Sequence, residues 1–360
     1  SRPLRPIPAG SASRPSGNRL MTELIVDLRS DTVTRPCAAM KQAMVEAELG
    51  DDVLGDDPTV TQLEVAAASL AGKEAAVFLP SGTQSNLVGL MAHCERGDEY
   101  IVGQEAHTYK YEGGGAAVLG SIQPQPLEFE PDSTLDLVKV RSRIKADDSH
   151  FARTRLLCLE NTLSGDVLPL DYHGQAGKFC AAHGLGLHLD GARLFNACVK
   201  QGVELAEIAS HYDTVSLCLS KGLGAPAGSI LVGSAELVVK ARRWRKVLGG
   251  GLRQSGMLAA AGLYALEHNV ARLAEDHANA LRLAEGLAQV PGISCDPGSV
   301  QTNMVFASID DPVQAPRLEA YLGANGVLTL GGQVLRLVTH KDVDAAGVAR
   351  TVELFAAFYR

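Results

Sequence analysis

The residue best suited to covalent chemistry is Lys221, which follows the run Thr214–Ser220, whose alternation predicts a buried strand. It is the only charged residue between Asp213 and Glu236, and its neighbours are small or apolar. A lysine in such surroundings loses solvation, so its charged form is disfavoured and the free amine becomes a nucleophile. Lys221 is therefore a candidate Schiff-base lysine, and an ordinary lysine in a turn is the alternative.

The turn after another predicted strand could bind an anion. The apolar run Ala75–Pro80 predicts that strand, and Ser81, Gly82 and Thr83 follow it directly, ahead of a helical pattern. Free backbone N–H groups and the positive end of the helix dipole would face a phosphate at this turn. The alternative is that Ser81 is a plain helix cap.

A carboxylate closes a third predicted strand, Leu185–Asp190, and Gly-Ala-Arg193 follows it. Asp190 could keep a pyridine nitrogen protonated, which makes the ring an electron sink; capping the next helix is the alternative role. Together, the Ser81–Thr83 turn, Asp190 and Lys221 could bind a phosphate, a ring nitrogen and an aldehyde, respectively. This combination predicts a site for pyridoxal 5′-phosphate (PLP).

An alternation of strands and helices would position these groups. Further strands are predicted at Tyr100–Gly103, Thr154–Glu160 and Ser229–Gly233. Helices are predicted at Ala38–Ala47, Leu135–Ile144, Tyr172–His183, Glu204–Ser210, Leu237–Val247 and Ser255–Leu287. This pattern is typical of an α/β fold with a mostly parallel sheet, whose ligands gather where the strands end.

The chain is expected to divide into a large and a small domain. Residues 51–290 would form the large cofactor-binding domain, preceded by an N-terminal segment, 21–50, and followed by a small α+β domain, 291–360. Residues 1–20 are rich in Arg, Pro, Ser and Gly, and we interpret them as an added leader ahead of a natural start at Met21.

The composition excludes several classes of partner. The net charge of −8 and the lack of a basic cluster disfavour nucleic acid, and no run of about 18 apolar residues predicts a membrane span. Seven scattered cysteines without a C-x-x-C pair are typical of reduced thiols in a cytoplasmic protein. The acidic run Gly50–Asp57 lacks the spacing of a calcium loop, so we predict a turn with Asp57 as a helix cap and no metal.

Five motifs, in order along the chain, closely resemble those of the low-specificity L-threonine aldolases, which are fold-type I PLP enzymes. They are Asp27–Pro36, Gly50–Pro58, Leu79–Asn86, His188–Arg193 and Ser220–Gly224. The resemblance spans nearly all of residues 21–360. It implies a fold-type I PLP-dependent transferase-like architecture and a homodimer or homotetramer.

The resemblance also implies the roles of the cofactor-binding residues. Lys221 would form the Schiff base and Asp190 would contact the pyridine nitrogen, while Ser81, Gly82 and Thr83 would surround the phosphate. His107 matches the histidine that stacks on the cofactor ring, and Arg253 matches an arginine near the phosphate that reaches across a subunit interface.

The substrate-binding residues follow from the resemblance in the same way. Arg193 is similar to the arginine near the cofactor hydroxyl and the substrate carboxylate. Arg336 matches the carboxylate-binding arginine of the small domain, and Ser30 resembles a further carboxylate contact. Guanidinium groups suit this task because bidentate, charged hydrogen bonds fix the orientation of a carboxylate.

The implied reaction is cleavage of L-threonine and L-allo-threonine to glycine and acetaldehyde. A base must take the β-hydroxyl proton, and His107, His150 or a water held by either is a candidate; His188 reads as a core histidine. The alternative functions are another aldolase for β-hydroxy amino acids or a β-eliminating lyase. A nicotinamide enzyme would need an early G-x-G-x-x-G, which the sequence lacks.

Overall fold

The computed structural model describes residues 25–360, and the predicted leader, residues 1–20, lies outside them. The strands are β1 (Val26–Asp27), β2 (Ala75–Leu79), β3 (Asp98–Gly103), β4 (Gln123–Leu127), β5 (Arg153–Glu160), β6 (Gly186–Gly191), β7 (Thr214–Cys218), β8 (Ser229–Gly233), β9 (Ile293–Cys295), β10 (Met304–Ile309), β11 (Val327–Leu328) and β12 (Val334–Val338).

Helices separate most of the strands. They are α1 (Ala38–Glu46), α2 (Pro58–Leu70), α3 (Gly82–His93), α4 (His107–Lys110), α5 (Gly115–Val118), α6 (Leu137–Arg143), α7 (Leu170–His183), α8 (Leu194–Gln201), α9 (Leu205–Ala209), α10 (Ala235–Val247), α11 (Gly256–His268), α12 (Leu273–Leu287), α13 (Ala315–Ala324) and α14 (Ala345–Phe358). In residues 25–360, no helix combines the length and the apolar character that a bilayer span requires.

The central sheet has seven strands in the order β2-β8-β7-β6-β5-β3-β4. Strand β8 runs antiparallel to both of its neighbours, and the remaining pairs are parallel. Every residue of β3, β7 and β8 is buried, as expected of strands covered on both faces of a sheet. The predicted mostly parallel α/β sheet is confirmed.

Two details of the large domain differ from the prediction. The predicted helix Ser255–Leu287 is two helices, α11 and α12, because Asn269 ends the first and its side-chain Nδ2 donates to the carbonyl of Leu223 at 2.7 Å. Strand β4 was not predicted, since its sequence Gln-Pro-Gln-Pro-Leu lacks backbone donors at alternate positions. Such a strand is tolerated at the edge of a sheet, where β4 lies.

The acidic run before α2 is held by protein partners. Asp57 caps α2, its Oδ1 accepting from the backbone N–H of Val60 at 3.0 Å, as predicted. Its Oδ2 also accepts from the N–H of Gly256 at 2.9 Å, which ties the run to α11. Asp52 forms a buried ion pair with Arg245 at 2.8 Å.

A second core lies outside the large sheet. It is built from α12, α13 and α14 and from the three-stranded antiparallel sheet β12-β10-β9. The N-terminal segment joins this core, since Val26 and Leu28 are buried in it and β1 pairs in parallel with β11. The segment that follows, with Ser30 and Asp31, is thereby held against both the small domain and the large one. The domain boundaries given above stay predictions.

Candidate active site

Three chain segments deliver polar groups to the carboxyl edge of the central sheet. Glu160 ends β5 and is the register partner of Asp190 on β6, and Lys221 lies three residues beyond β7. The charge of Lys221 acts on Glu160, on His107 and on Asp31, so these groups share one site. In residues 25–360, the Lys221 amine forms no ion pair, which leaves it available for other chemistry.

Asp190 is almost completely buried, with 1% of its surface exposed. Its Oδ1 accepts from the backbone N–H of Ala192 at 3.0 Å, and its Oδ2 accepts from the side-chain Nδ2 of Asn86 at 2.8 Å. Each carboxylate oxygen therefore has one fixed donor. This leaves lone pairs that can accept from a protonated ring nitrogen.

His107 begins α4 and forms a pair with a buried glutamate. Its Nδ1 lies 2.8 Å from Oε1 of Glu112, whose side chain is 4% exposed. This hydrogen bond raises the pKa of His107, and burial raises the pKa of Glu112. The same Glu112 oxygen accepts from Asn86 Nδ2 at 2.9 Å, so one amide group contacts both Glu112 and Asp190.

Glu160 lies between the residues that the sequence singled out. Its Oε2 accepts from the backbone N–H of His107 at 2.6 Å. Burial, followed by repulsion from Asp190, raises the pKa of Glu160 to about 8. A carboxyl group that keeps its proton at neutral pH can donate a hydrogen bond as well as accept one.

Two arginines lie close together beside Asp31. Arg193 binds Asp31 with two bonds of 2.7 Å, from its Nε and Nη2. Burial of Asp31 acts to raise its pKa, but the charge and hydrogen bonds of Arg193, together with the charge of Lys221 and a hydrogen bond from Asn303, lower it to about 2. Two nitrogens of the Arg193 guanidinium, Nε and Nη2, are thus bonded to Asp31, and Nη1 is not part of this pair.

Arg336, on β12, has no carboxylate partner in the described part of the chain. Its Nη2 donates to the carbonyl of Arg29 at 3.3 Å, and its Nε is buried without a hydrogen-bond partner. Burial and then the charge of Arg193 lower the pKa of Arg336. Two neighbouring guanidinium groups with one protein carboxylate between them suit the binding of an anion.

The Ser81–Thr83 turn has the geometry of an anion site. Ser81 caps α3, its Oγ accepting from the backbone N–H of Gln84 at 3.2 Å. A side chain at Gly82 would meet Ser229 Oγ, 3.5 Å from the position that its Cβ would take. The Ser229 hydroxyl is buried and has no hydrogen-bond partner, so an acceptor is missing beside the start of the helix.

Ser30 makes a local contact beside Asp31, whereas Arg253 lies on the surface. Ser30 caps a short 3-10 helix, Asp31–Val33, with its Oγ accepting from the N–H of Thr32 at 3.2 Å. Arg253 is 58% exposed and pairs with Asp51 at 2.9 Å. The structure does not bring Arg253 to the cluster around Lys221 within one chain.

His150 lies at the opposite edge of the sheet. It comes three residues before β5, whereas Glu160, in the site, is the last residue of that eight-residue strand. Its side chain is 83% exposed, and its Nδ1 lies 2.6 Å from Asp148. At about 3.3 Å per residue, β5 alone separates His150 from the site of its own chain by about 25 Å. His150 therefore cannot be the base in that site.

The comparison with known proteins gives a consistent relationship. The family model described as beta-eliminating lyase matches residues 27–310. The chain belongs to the beta-eliminating lyase family. Its relatives include the low specificity L-threonine aldolase of Escherichia coli K12, 55% identical over 334 residues that cover 93% of this chain and 99% of the relative. The low-specificity L-threonine aldolase 1 of Arabidopsis thaliana is 45% identical over 340 residues, covering 92% and 95% of the two chains.

Solved structures share the fold of this chain. The threonine aldolase of Leishmania major superposes with a TM-score of 0.80 at 21% identity, covering 93% of this chain and 100% of that one. A putative L-allo-threonine aldolase of Listeria monocytogenes gives a TM-score of 0.77 at 22% identity, with 94% and 96% covered. The predicted fold class, fold-type I, is confirmed.

Sequence reasoning missed four residues of the site: Asp31, Asn86, Glu112 and Glu160. Asp31 and Asn86 lie inside motifs that it quoted, but no role was given to either. Glu160 ends a predicted strand exactly as Asp190 does, so the rule that sites follow strand ends could have found it. Glu112 lies in an irregular stretch between α4 and α5, where spacing carries no signal.

Proposed function

We propose that the chain is a PLP-dependent aldehyde-lyase that cleaves L-threonine and L-allo-threonine to glycine and acetaldehyde. The observation that carries this proposal is the meeting of Lys221, Asp190 and the Ser81–Thr83 turn at one sheet edge, beside the guanidinium of Arg336, whose Nε forms no hydrogen bond within residues 25–360. Sequence identity of 55% with the low specificity L-threonine aldolase of Escherichia coli, over nearly the whole of both chains, supports the proposal independently.

The donor set fits PLP group by group. The helix start at Gly82 and the orphaned hydroxyl of Ser229 suit a phosphate, and the buried carboxylate of Asp190 suits a pyridinium nitrogen. Lys221 would hold the aldehyde carbon, and His107 would lie against the ring. When bound, PLP withdraws electrons from the bond that breaks at the substrate Cα.

Binding and orientation of the substrate fall to Arg336 and Arg193. Arg336 would bind the substrate carboxylate with the Nε and Nη groups that the protein leaves without a carboxylate. Arg193 is anchored by Asp31, so its remaining Nη1 is held in place as a second donor. Ser30, next to Asp31, would add a hydroxyl contact. Fixing the carboxylate decides which substituent of Cα stands perpendicular to the ring, and hence which bond breaks.

Proton transfer falls to His107. Its Nδ1 is engaged by Glu112, which fixes the ring and leaves Nε2 as the nitrogen that can take the β-hydroxyl proton, directly or through a water. His150 could take part only in the site of another chain, because it lies at the far edge of its own sheet.

We also propose that the enzyme works in the cytoplasm as a homodimer or homotetramer. The seven cysteines are free, and five of them are buried, as in a reducing compartment. A groove of about 810 Å³ lies between the loop before α2 and helix α10, flanked by the exposed side chains of Leu54 and Val247. Arg253 stands exposed near this groove, where it could reach the phosphate site of a second copy.

The test is product detection from purified protein loaded with PLP. Glycine and acetaldehyde should form in equal amounts from L-threonine and from L-allo-threonine, while the Lys221→Ala variant should form neither. Borohydride reduction should fix the cofactor on the peptide that contains Lys221. A label on another peptide, or PLP-loaded protein that releases no glycine, would refute the proposal.

The second candidate is a β-eliminating lyase, which the description of the matching family model favours. An elimination would release the leaving group from Cβ, for example chloride from β-chloroalanine, and hydrolysis of the resulting enamine by water would give pyruvate and ammonia. Assaying pyruvate beside glycine, with phenylserine as a bulkier aldol substrate, separates the candidates. Pyruvate release that exceeds glycine release would favour the lyase.

A further inference from the structure

A row of buried polar side chains runs from Asp190 along helix α3, away from the site. Asn86 Oδ1 lies 3.4 Å from His188 Nε2, and His188 Nδ1 lies 2.8 Å from Thr214 Oγ1. The same hydroxyl is 2.8 Å from Nε2 of His93, the last residue of α3. His188 and Thr214 have no exposed surface, and Asn86 is 2% exposed.

Two glycines make room for the two imidazole rings. A Cβ at Gly89, one helical turn beyond Asn86, would lie 2.7 Å from His188 Cε1. A Cβ at Gly186, at the start of β6, would lie 2.7 Å from His93 Nδ1. Neither distance is possible for a real side chain, so the backbone on both sides of the row is shaped around these rings.

The hydrogen bonds allow one assignment of the protons. Both N–H bonds of Asn86 point at carboxylates, Asp190 and Glu112, so its Oδ1 must accept from His188 Nε2–H. The Nδ1 of His188 is then an acceptor, and the single hydroxyl proton of Thr214 must point to it. Thr214 Oγ1 in turn accepts from His93 Nε2–H.

Both rings stay neutral, which the row requires. Burial, followed by the mutual repulsion of the two rings, lowers the pKa of His188 to about 3. Burial also dominates at His93 and lowers its pKa to about 4. A neutral imidazole can accept from Thr214 with one nitrogen and donate to Asn86 with the other, which fixes the orientation of the Asn86 amide. An imidazolium has two donors, one of which would clash with the Thr214 proton.

We propose that His188 and Thr214, backed by His93, are positioning residues that hold the Asn86 carboxamide so that it serves Asp190 and Glu112 at once. The proposal rests on the proposed function, since it takes PLP as the ligand whose ring nitrogen Asp190 contacts. One amide thereby links the carboxylate for the ring nitrogen to the carboxylate that fixes His107. If Asn86 turned, both would lose a donor together.

A purely structural role would not call for this arrangement. On strand β6, His188 lies between the buried Leu187 and Leu189 and faces the same side of the sheet as Asp190, two residues further on. Buried polar groups cost stability unless each is satisfied, and an apolar pair at positions 188 and 214 would avoid that cost. What such a pair could not do is supply a donor to Asn86 Oδ1.

The test compares Thr214→Val with Thr214→Ser in the holoenzyme. Valine has the shape of threonine but removes the hydroxyl between the rings, and serine keeps it. Binding of PLP to the apoprotein would be measured beside binding of the analogue in which carbon replaces the ring nitrogen. We expect Thr214→Val to weaken PLP binding about tenfold and to change analogue binding less than about twofold. The same variant should lower kcat more than it raises KM. Thr214→Ser should resemble the wild type in all of these measurements.

The control for the loss of a buried hydroxyl is Thr351→Val in α14, where the hydroxyl donates to Gly347 at 2.8 Å. It should lower thermal stability without changing the ratio of PLP to analogue binding. An equal loss of PLP and analogue binding in Thr214→Val, or an equally impaired Thr214→Ser, would overturn the proposal. These binding ratios do not depend on whether threonine is the substrate, so failure of the aldolase assignment would be seen separately.

A measurement on the wild-type holoenzyme covers the case in which Thr214→Val does not fold. Neutron diffraction from deuterated crystals locates the exchangeable protons directly. We expect deuterium on Nε2 of His188 and of His93, and on the Thr214 hydroxyl toward His188. Deuterium on Nδ1 of His188 would place two lone pairs face to face at Asn86 and would overturn the proposal.

Discussion

Three buried carboxyl groups lie within reach of one another at the sheet edge, and their surroundings make them chemically different. Asp190 has a donor on each oxygen, Glu112 accepts from both His107 and Asn86, and Glu160 has one backbone donor. Fixed donors stabilise a carboxylate, whereas burial beside another negative charge favours the protonated form. The two donors of Asp190 therefore fix its orientation toward a ring nitrogen, whereas Glu160, whose pKa is raised to about 8, is suited to keep a proton.

The Glu112–His107 pair leads to a prediction about pH dependence. A base must be neutral to act, so kcat/KM rises as pH passes upward through the pKa of His107. Glu112 raises that pKa, so Glu112→Gln should lower it and move the acidic limb of the profile to lower pH. The matched control is Glu105→Gln, an exposed glutamate that pairs with Lys110. An unmoved limb in Glu112→Gln would show that His107 is not the base.

The guanidinium of Arg336, which has no carboxylate partner in the described residues, leads to a second prediction. Arg336→Gln keeps hydrogen-bonding capacity but removes the charge and the fork that would bind a carboxylate. We expect KM for L-threonine to rise about 30- to 100-fold, equivalent to about 2–3 kcal/mol of charge-assisted binding, with Arg336→Lys in between. Steady-state kinetics test this, with Arg317→Gln, an exposed arginine of α13, as the control. An unchanged KM would mean that the carboxylate binds elsewhere.

Individual site residues were predictable to different extents, for a physical reason. Lys221, Asp190 and Ser81 come directly after apolar strands, and the chain's local pattern marks such positions. The ion pair of Arg193 with Asp31 joins residues 162 positions apart, and the Asn86–Asp190 contact spans 104. No local pattern encodes such contacts, so the sequence indicated the cofactor groups but not the side chains that hold them.

At the scale of elements, helix α3 carries more of the site than any pattern in its sequence suggests. Its first residue lies in the anion turn, Asn86 reaches two carboxylates, and Gly89 leaves space for His188. The alternation of strands and helices along the chain predicted the sheet, and Asp57-Pro58 predicted the start of α2. The break between α11 and α12 was missed because it depends on a tertiary bond from Asn269 to Leu223.

The close fit at Gly89 leads to a prediction about stability. A methyl group there would lie 2.7 Å from the His188 ring, so Gly89→Ala should lower the free energy of unfolding by about 1–3 kcal/mol, although alanine is the better helix former. Gly323→Ala in α13 is the control, because no atom lies within 4 Å of its Cβ position. It should raise stability by about 0.5–1 kcal/mol. Denaturant unfolding measures the free energy of unfolding of both variants. A change in the same direction for Gly89→Ala and Gly323→Ala would contradict the prediction.

At the scale of the whole molecule, the N-terminal segment connects the two cores. Strand β1 pairs with β11 of the small domain, and a few residues later Asp31 is gripped by Arg193 of the large domain. Arg336 reaches the same segment through the carbonyl of Arg29. The two arginines are therefore brought together by a segment that neither domain would contain by itself. The pairing of β1 with β11 spans about 300 residues, so no local sequence pattern could predict it.

The last prediction concerns the groove between the loop before α2 and helix α10. Leu54 is 72% exposed and Val247 is 65% exposed, and we propose that a second copy of the chain covers them. Replacing both residues by lysine would bury two charges in the subunit contact, where they would lose their hydration. The molecular mass measured by light scattering should therefore fall at least twofold, and activity per chain should fall with it. Val313→Lys is the control, since Val313 is 70% exposed on the small domain, away from the groove. An unchanged mass in the double variant would show that the subunit contact lies elsewhere. It would also contradict the proposal that Arg253 reaches the phosphate site of a second copy across this groove.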